Sequence, residues 1–146
     1  MKYLGIDYGH KKVGFAESDE SGMMAFPMMI SDNDKSLLKD TCEIIRALNI
    51  QTVVIGQSLD TDGKPNKIAT EAKSFGDELT NLMNINVVYE KEWYTTAEAR
   101  KQPGARDDVD DAAAALILQR YLEKVNPRKF EYSEQEEEEA MGIPMQ

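Results

Sequence analysis

The segment GIDYGHKKVG places an acid, Asp7, inside an otherwise strand-like apolar run and between two glycines, Gly5 and Gly9. An isolated buried carboxylate costs several kcal/mol unless it is paired, hydrogen-bonded or bound to a cation. Further acids occur where other elements should begin or end. Glu90 and Glu92 close the run INVVYEKE, and Asp107, Asp108, Asp110 and Asp111 open the last apolar-periodic segment. In that segment Asp110, Ala113, Ala114 and Ile117 recur at i, i+3, i+4 and i+7, so Asp110 shares the face that packs on the rest of the fold. Helix capping explains Asp107 and Asp108; the inward face assigns Asp110 to chemistry. Asp7, one of Glu90 or Glu92, and Asp110 would repel one another if brought together without a cation. With one histidine, His10, and one cysteine, Cys42, a Cys/His zinc cluster is excluded. Hard carboxylate oxygens select Mg²⁺ or Mn²⁺, and a pair of such ions about 3.5–4 Å apart suits in-line phosphodiester cleavage. Gly5 and Gly9 would then admit a backbone or a phosphate at close range.

The elements that must position these acids can be read along the chain. Lys2 to Tyr8 and Lys12 to Ser18 have strand composition and are joined by Gly9-His10-Lys11, a hairpin signal. A third strand, MMAFPMMI, follows Ser21-Gly22; Pro27 removes a ladder donor and places it at a sheet edge. Leu37, Leu38, Cys42, Ile45 and Leu48 predict a helix over 35–48 with its cap among Asp32, Asn33 and Asp34, and Cys42 as an inert core thiol. QTVVIG (51–56) is a strand buried on both faces, 66–83 a second helix, and INVVYE (85–90) a fifth strand. Thr95 to Glu98 form a capping box for a short helix ended by Pro103-Gly104. The last helix starts near Asp107 or Asp108 and ends before Asn126-Pro127. Three sequential strands followed by alternating helices and strands predict an α/β domain with a mixed sheet and helices on its faces.

Residues 1–127 are thus expected to form one domain, and the acidic, aperiodic segment 128–146 a disordered tail. The formal net charge of −10 lacks the basic footprint usual for nucleic-acid binding. In the tail Arg128 and Lys129 stand against Glu131, Glu134 and Glu136 to Glu139, a net −4, leaving −6 on residues 1–127. The tail is read as a solubilising appendage or as an acidic mimic that covers its own groove or docks on a basic partner. No apolar run approaches membrane-spanning length, and Met1 leads directly into a strand-like segment without a signal peptide, so no membrane association and a cytoplasmic location are expected.

Four blocks, GIDYGHKKVGFAESD, the VVIG strand with its following DG loop, VVYEKEWYTTAEAR and VDDAAAALILQRYL, resemble the YqgF/RuvX family, described as Holliday junction resolvases and pre-16S rRNA nucleases. The resemblance spans roughly residues 1 to 124. It implies an RNase H-like fold with a five-stranded mixed sheet of order 3-2-1-4-5, helices on both faces, and metal-dependent nuclease chemistry on structured RNA or branched DNA. Carried over by block, it implies Asp7, Glu92 and Asp110 as catalytic metal ligands for Mg²⁺ or Mn²⁺, two ions, and leaves Glu90 as runner-up. Remaining phosphate contacts would come from Lys11, Lys12, Arg100, Lys101 and Arg106. Lys91 and Trp93 replace the Asp and Arg of the family's D-E-R-x-T-T block, and Gln57-Ser58 replaces Leu-Pro. Junction resolution would also require a symmetric homodimer. The rival class is a non-catalytic RNase H-like adaptor that binds nucleic acid or protein. An actin-like ATPase needs two lobes, which 146 residues do not supply.

Overall fold

The computed structural model describes residues 1–59, 62–92 and 110–127. Strands β1 (Tyr3–Tyr8), β2 (Lys12–Ser18) and β3 (Ala25–Asp32) precede α1 (Leu37–Leu48) and β4 (Thr52–Ser58). They are followed by α2 (Lys67–Met83), β5 (Asn86–Glu92) and α3 (Asp111–Val125). The five strands form one mixed sheet of order β3-β2-β1-β4-β5. β1 is central, antiparallel to β2 and parallel to β4, and β5 extends the sheet parallel to β4.

Strand alternation sorts the side chains into two layers. Leu4, Ile6, Val13, Phe15, Val53 and Ile55 pack with α1 and α2 residues such as Leu37, Ile45, Phe75 and Leu79. On the other face Ala16 and Val54 pack with Ala114, Ile117, Leu118 and Leu122 of α3. Helices therefore cover both faces, as expected. Small residues let α3 lie close to the sheet: a Cβ on Gly5 would stand 2.8 Å from Leu118 Cβ and 2.9 Å from the Ala114 carbonyl oxygen. Gly5 thus admits the helix backbone, the first of the two close approaches, backbone or phosphate, that the sequence reading allowed it.

Pro27 does lie on the edge strand β3. Its neighbourhood is irregular: Ala16 faces Pro27 while Phe15 faces Met29, so Met28 is the extra residue of a bulge. Several boundaries differ from expectation: β3 runs Ala25–Asp32 rather than over 23–30, and β4 ends at Ser58 rather than at residue 56. The N-cap of α1 is Ser36, because Asp34, two residues too early to cap, turns its Oδ1 to the Ser36 N–H (2.9 Å) and hydroxyl (2.7 Å). β5 runs two residues further, to Glu92. α3 begins at Asp111 with Asp110 as its cap, later than Asp107 or Asp108. The helix expected after Thr95, the residues Asp107, Asp108 and Trp93, and the tail 128–146 lie outside the described residues. Cys42 is buried, and that burial raises its thiol pKa, consistent with an inert core residue. Asn49 and Asn84 end α1 and α2 in the left-handed region at φ 57° and 51°, where Asn is tolerated better than most residues.

The β2–β3 connection is organised by Asp19. Its Oδ1 accepts from the Met23 N–H (2.9 Å) and the Met24 N–H (3.2 Å), and its Oδ2 from the Ser21 hydroxyl (2.7 Å). Burial pushes its pKa up, but these hydrogen bonds outweigh that effect and hold it below the ordinary carboxylate value. The folded state therefore favours ionised Asp19, and its contribution is complete above the unfolded pKa of about 3.9 and lost as pH falls through the lower folded value. Asp19→Ala is expected to cost about 1 kcal/mol at pH 7 in urea denaturation, with the difference from the parent shrinking below pH 4.

Candidate active site

Asp7 is only 1% exposed and lies on β1 directly opposite Gly14 of β2. Both residues face α3, by the alternation that puts Gly5 against Leu118. A Cβ on Gly14 would lie 2.2 Å from the Asp110 carbonyl oxygen, so the first turn of α3 rests on the strand at this glycine. Asp7 is consequently the cross-strand neighbour of the point where Asp110 touches the sheet. Direct cross-strand neighbours have Cβ positions about 4.5–5.5 Å apart. The N-terminal end of α3, with its partial positive charge, therefore lies beside both acids and favours their ionised forms.

Glu92 reaches the same region from the other side. It ends β5 opposite Ser58, is 6% exposed, and its carboxylate carbon and Oε2 come within 3.3 Å of where a Gly56 Cβ would be. The β1–β4 pairing ends with Ile6 opposite Ile55, and Asp7 and Gly56 are the next residues of the two strands. Gly56 is buried, covered by the Glu92 carboxylate and by Ile117, whose Cδ1 would stand 2.6 Å from a Cβ there. Glu90, two residues earlier on the same face, is engaged differently: both of its carboxylate oxygens accept from the Lys124 ammonium, Oε2 at 2.8 Å. That contact ties Glu90 to the C-terminal half of α3. The family resemblance selects Glu92.

Asp110 is the N-cap, with Oδ1 accepting from the Ala113 N–H at 2.6 Å. Capping and chemistry had been weighed as alternatives for this residue. They are compatible, since a carboxylate has two oxygens and the cap uses one. The three side chains share a sheet face and one end of the fold, yet among the described residues no three His, Cys, Asp or Glu side chains are grouped closely enough to hold a metal ion. The donor chemistry of three carboxylates fits an oxygen-ligated divalent cation.

The β1–β2 hairpin projects at the same edge. It is closed by the Gly9 N–H bonding to the Lys12 carbonyl (3.0 Å) and braced by Asn33, whose side chain donates to the Gly9 carbonyl at 2.7 Å. Lys11 and Lys12 are exposed there; Lys12 is ion-paired with Asp32. His10 on the same turn stands 3.2 Å from Glu71. Arg100, Lys101 and Arg106 lie outside the described residues. Asn66 braces the end of β4, capping α2 through the Ala69 N–H (3.0 Å) while donating to the Ser58 hydroxyl (2.8 Å). The sequence reading missed the two glycines that shape the site, Gly14 and Gly56. Glycine inside a strand is a signal of close approach and was available for both.

Among the described residues no helix is long and apolar enough to cross a membrane. Comparison with known proteins agrees with this architecture. A protein of Lactobacillus acidophilus provisionally named pre-16S rRNA nuclease is 31% identical over 137 residues, covering 84% of this chain and 96% of its own. One of the same provisional name from Burkholderia mallei is 33% identical over 126 residues, covering 82% and 86%. Among solved structures, Thermus thermophilus RuvC in complex with a Holliday junction substrate superposes with a TM-score of 0.54 at 14% identity, over 85% of this chain and 95% of that one. The fowlpox virus resolvase bound to Holliday junction DNA gives 0.53 at 14% identity, over 86% and 99%. At such identity these two establish the fold, which is RNase H-like. The sequence profile of the RuvX family, described as Holliday junction resolvase, matches residues 1–124, and the chain belongs to that family.

Proposed function

We propose that this protein is a divalent-metal-dependent nuclease that hydrolyses phosphodiester bonds in structured ribosomal-precursor RNA. The observation that supports the reading is the burial of Asp7 and Glu92 on the α3 side of the sheet, with the Glu92 carboxylate over Gly56 and Asp110 resting on Gly14 opposite Asp7. Asp7, Glu92 and the Asp110 oxygen not engaged in the cap would hold Mg²⁺ or Mn²⁺. When bound, such ions activate the attacking water and neutralise charge at the phosphate and leaving oxygen.

The chain's own contribution is positioning. The central strand fixes Asp7 in a buried place, so its carboxylate meets a substrate without reorganising. Gly56 leaves room for the Glu92 carboxylate and for Ile117, and the first turn of α3 directs N–H dipoles toward the anionic centre. Lys11, at the tip of the adjacent hairpin, is placed to contact a neighbouring phosphate; Lys12 must first exchange Asp32 for it. The relatives at about 30% identity favour RNA as the substrate. A four-way junction remains the competing substrate, and its paired cuts would need two such sites and hence a dimer.

Labelled RNA spanning the 5′ end of a 16S precursor and a labelled four-way DNA junction, each incubated with the full chain in Mg²⁺, Mn²⁺ or EDTA, test the proposal. Cutting of the RNA in either metal and none in EDTA is the expected result. Failure to cut either substrate, together with no heat of Mg²⁺ or Mn²⁺ binding in calorimetry, would overturn it in favour of a binding adaptor.

A further inference from the structure

The open side of β5 carries a feature that the catalytic reading does not use. Between this edge strand and α3 lies a cleft of about 460 Å³ lined by Glu90, Lys91, Arg120, Glu123 and Lys124. Arg120 and Lys124 meet Glu90 and Glu123 there, so the α3 face of the cleft is charge-balanced in a chain of formal net charge −10. The two acids are not equivalent. Glu90 is 3% exposed and holds the Lys124 ammonium through both oxygens, although the Lys124 side chain is itself 64% exposed. Glu123 is exposed at the rim. Arg120 lies one helical turn before Lys124, so the two project from neighbouring positions, and Arg120 has no ion-pair partner among the described residues.

We infer that this cleft binds the sugar–phosphate backbone of the substrate strand beside the scissile bond, with Arg120 as the principal phosphate contact and Lys124 held in place by Glu90. The inference rests on the nuclease reading and extends it by assigning the path of the strand. Position supports it: Glu90 is two residues from Glu92 on the same face of β5, about 7 Å along the strand at 3.3 Å per residue, a separation of one to two nucleotides. Chemistry supports it as well. A guanidinium presents a planar fork of donors that matches phosphate oxygens, and the Glu90 contact removes the entropy cost of fixing a long lysine. Alternation turns the Lys91 side chain toward the opposite face, so Lys91 is not a required contact.

Substitutions of opposite expected sign make the test specific. In an Asp7→Asn background that does not cut, binding of the labelled precursor RNA to the full chain is measured in Mg²⁺ across a salt series. Arg120→Gln is expected to weaken binding roughly three- to ten-fold and to reduce the slope of log K against log salt by about 0.7–0.9, the value for one phosphate contact. Glu123→Gln, which removes an acid from the rim, is expected to tighten binding roughly two- to five-fold. A disrupted fold cannot produce a gain and a loss together. Lys124→Gln is avoided because it leaves Glu90 buried without its cation. If the parent binds the RNA and both variants match it in affinity and slope, the groove assignment fails and the nuclease reading stands. If the parent binds neither this RNA nor a four-way junction, the nuclease reading fails and the groove assignment falls with it.

Discussion

Asp7→Asn is expected to reduce cleavage by about three orders of magnitude while the protein remains folded. A carboxylate that holds a catalytic metal supports several kcal/mol of transition-state stabilisation, and each 1.4 kcal/mol corresponds to a factor of ten. Asn has nearly the same shape and retains an acceptor oxygen, so the position between Gly14 and Gly56 is still filled. Removing a buried negative charge from a site shared with Glu92 and Asp110 also relieves repulsion when no metal is present. The melting temperature without divalent ions should therefore stay within a few degrees of the parent or rise. With Mg²⁺ or Mn²⁺ added, the parent should gain thermal stability that the variant does not, because a ligand that binds only the folded state stabilises it by mass action. Single-turnover cleavage and thermal melts with and without metal check both parts. Loss of folding together with loss of cleavage would make Asp7 a structural acid. Full cleavage by the variant would remove it from the site altogether.

Much of this arrangement was legible before any coordinates. The β-branched run at 52–55, the proline in the third strand and the 3.6-residue spacing of the first two helices each have a local physical cause, and the sheet order followed from the family resemblance. The fold of the described residues accordingly agrees with expectation. Two of the three acids were placed on their elements by the same logic, since a carboxylate in a strand otherwise made of core residues advertises itself. Asp110 was identified by its helical face, although its capping role depends on where the helix begins, and a run of four acids in five residues offers several equivalent starts. Glu90 and Glu92 were inseparable by local reading. Both point to the same face; the family resemblance chose Glu92, and in the structure the long-range contact from Lys124, thirty-four residues away, sets Glu90 apart. Packing partners were only half visible: Gly5 read as room for a backbone or a phosphate, and it is the backbone of α3 that comes close.

Gly14→Ala is expected to be among the most damaging single-methyl changes in the chain. The added Cβ would lie 2.2 Å from the Asp110 carbonyl oxygen and 2.6 Å from its carbonyl carbon. Both are backbone atoms at the start of a helix, and they cannot move aside as a side-chain terminus does. The methyl can be accommodated only by lifting the first turn of α3 off the sheet, which strains the packing of Ala114 and Leu118 below it. Overpacking of this kind costs about 3 kcal/mol, and for a chain of this size that corresponds to a fall in melting temperature of roughly 10 °C. Gly56→Ala provides the comparison. Its Cβ would meet the Ile117 Cδ1 at 2.6 Å, the far end of a side chain that can change rotamer, so the stability cost should be about half as large. The two substitutions should also differ in their effect on the acids. At Gly14 the displaced element carries Asp110, whereas at Gly56 the methyl comes 3.3 Å from the Glu92 carboxylate and presses directly on it. Gly56→Ala should therefore lose cleavage out of proportion to its loss of stability, and Gly14→Ala should lose both. Urea denaturation paired with single-turnover cleavage on the two variants distinguishes these outcomes. Equal stability costs would mean that α3 yields as readily as Ile117, and that its first turn is not the rigid wall on which the placement of Asp110 depends.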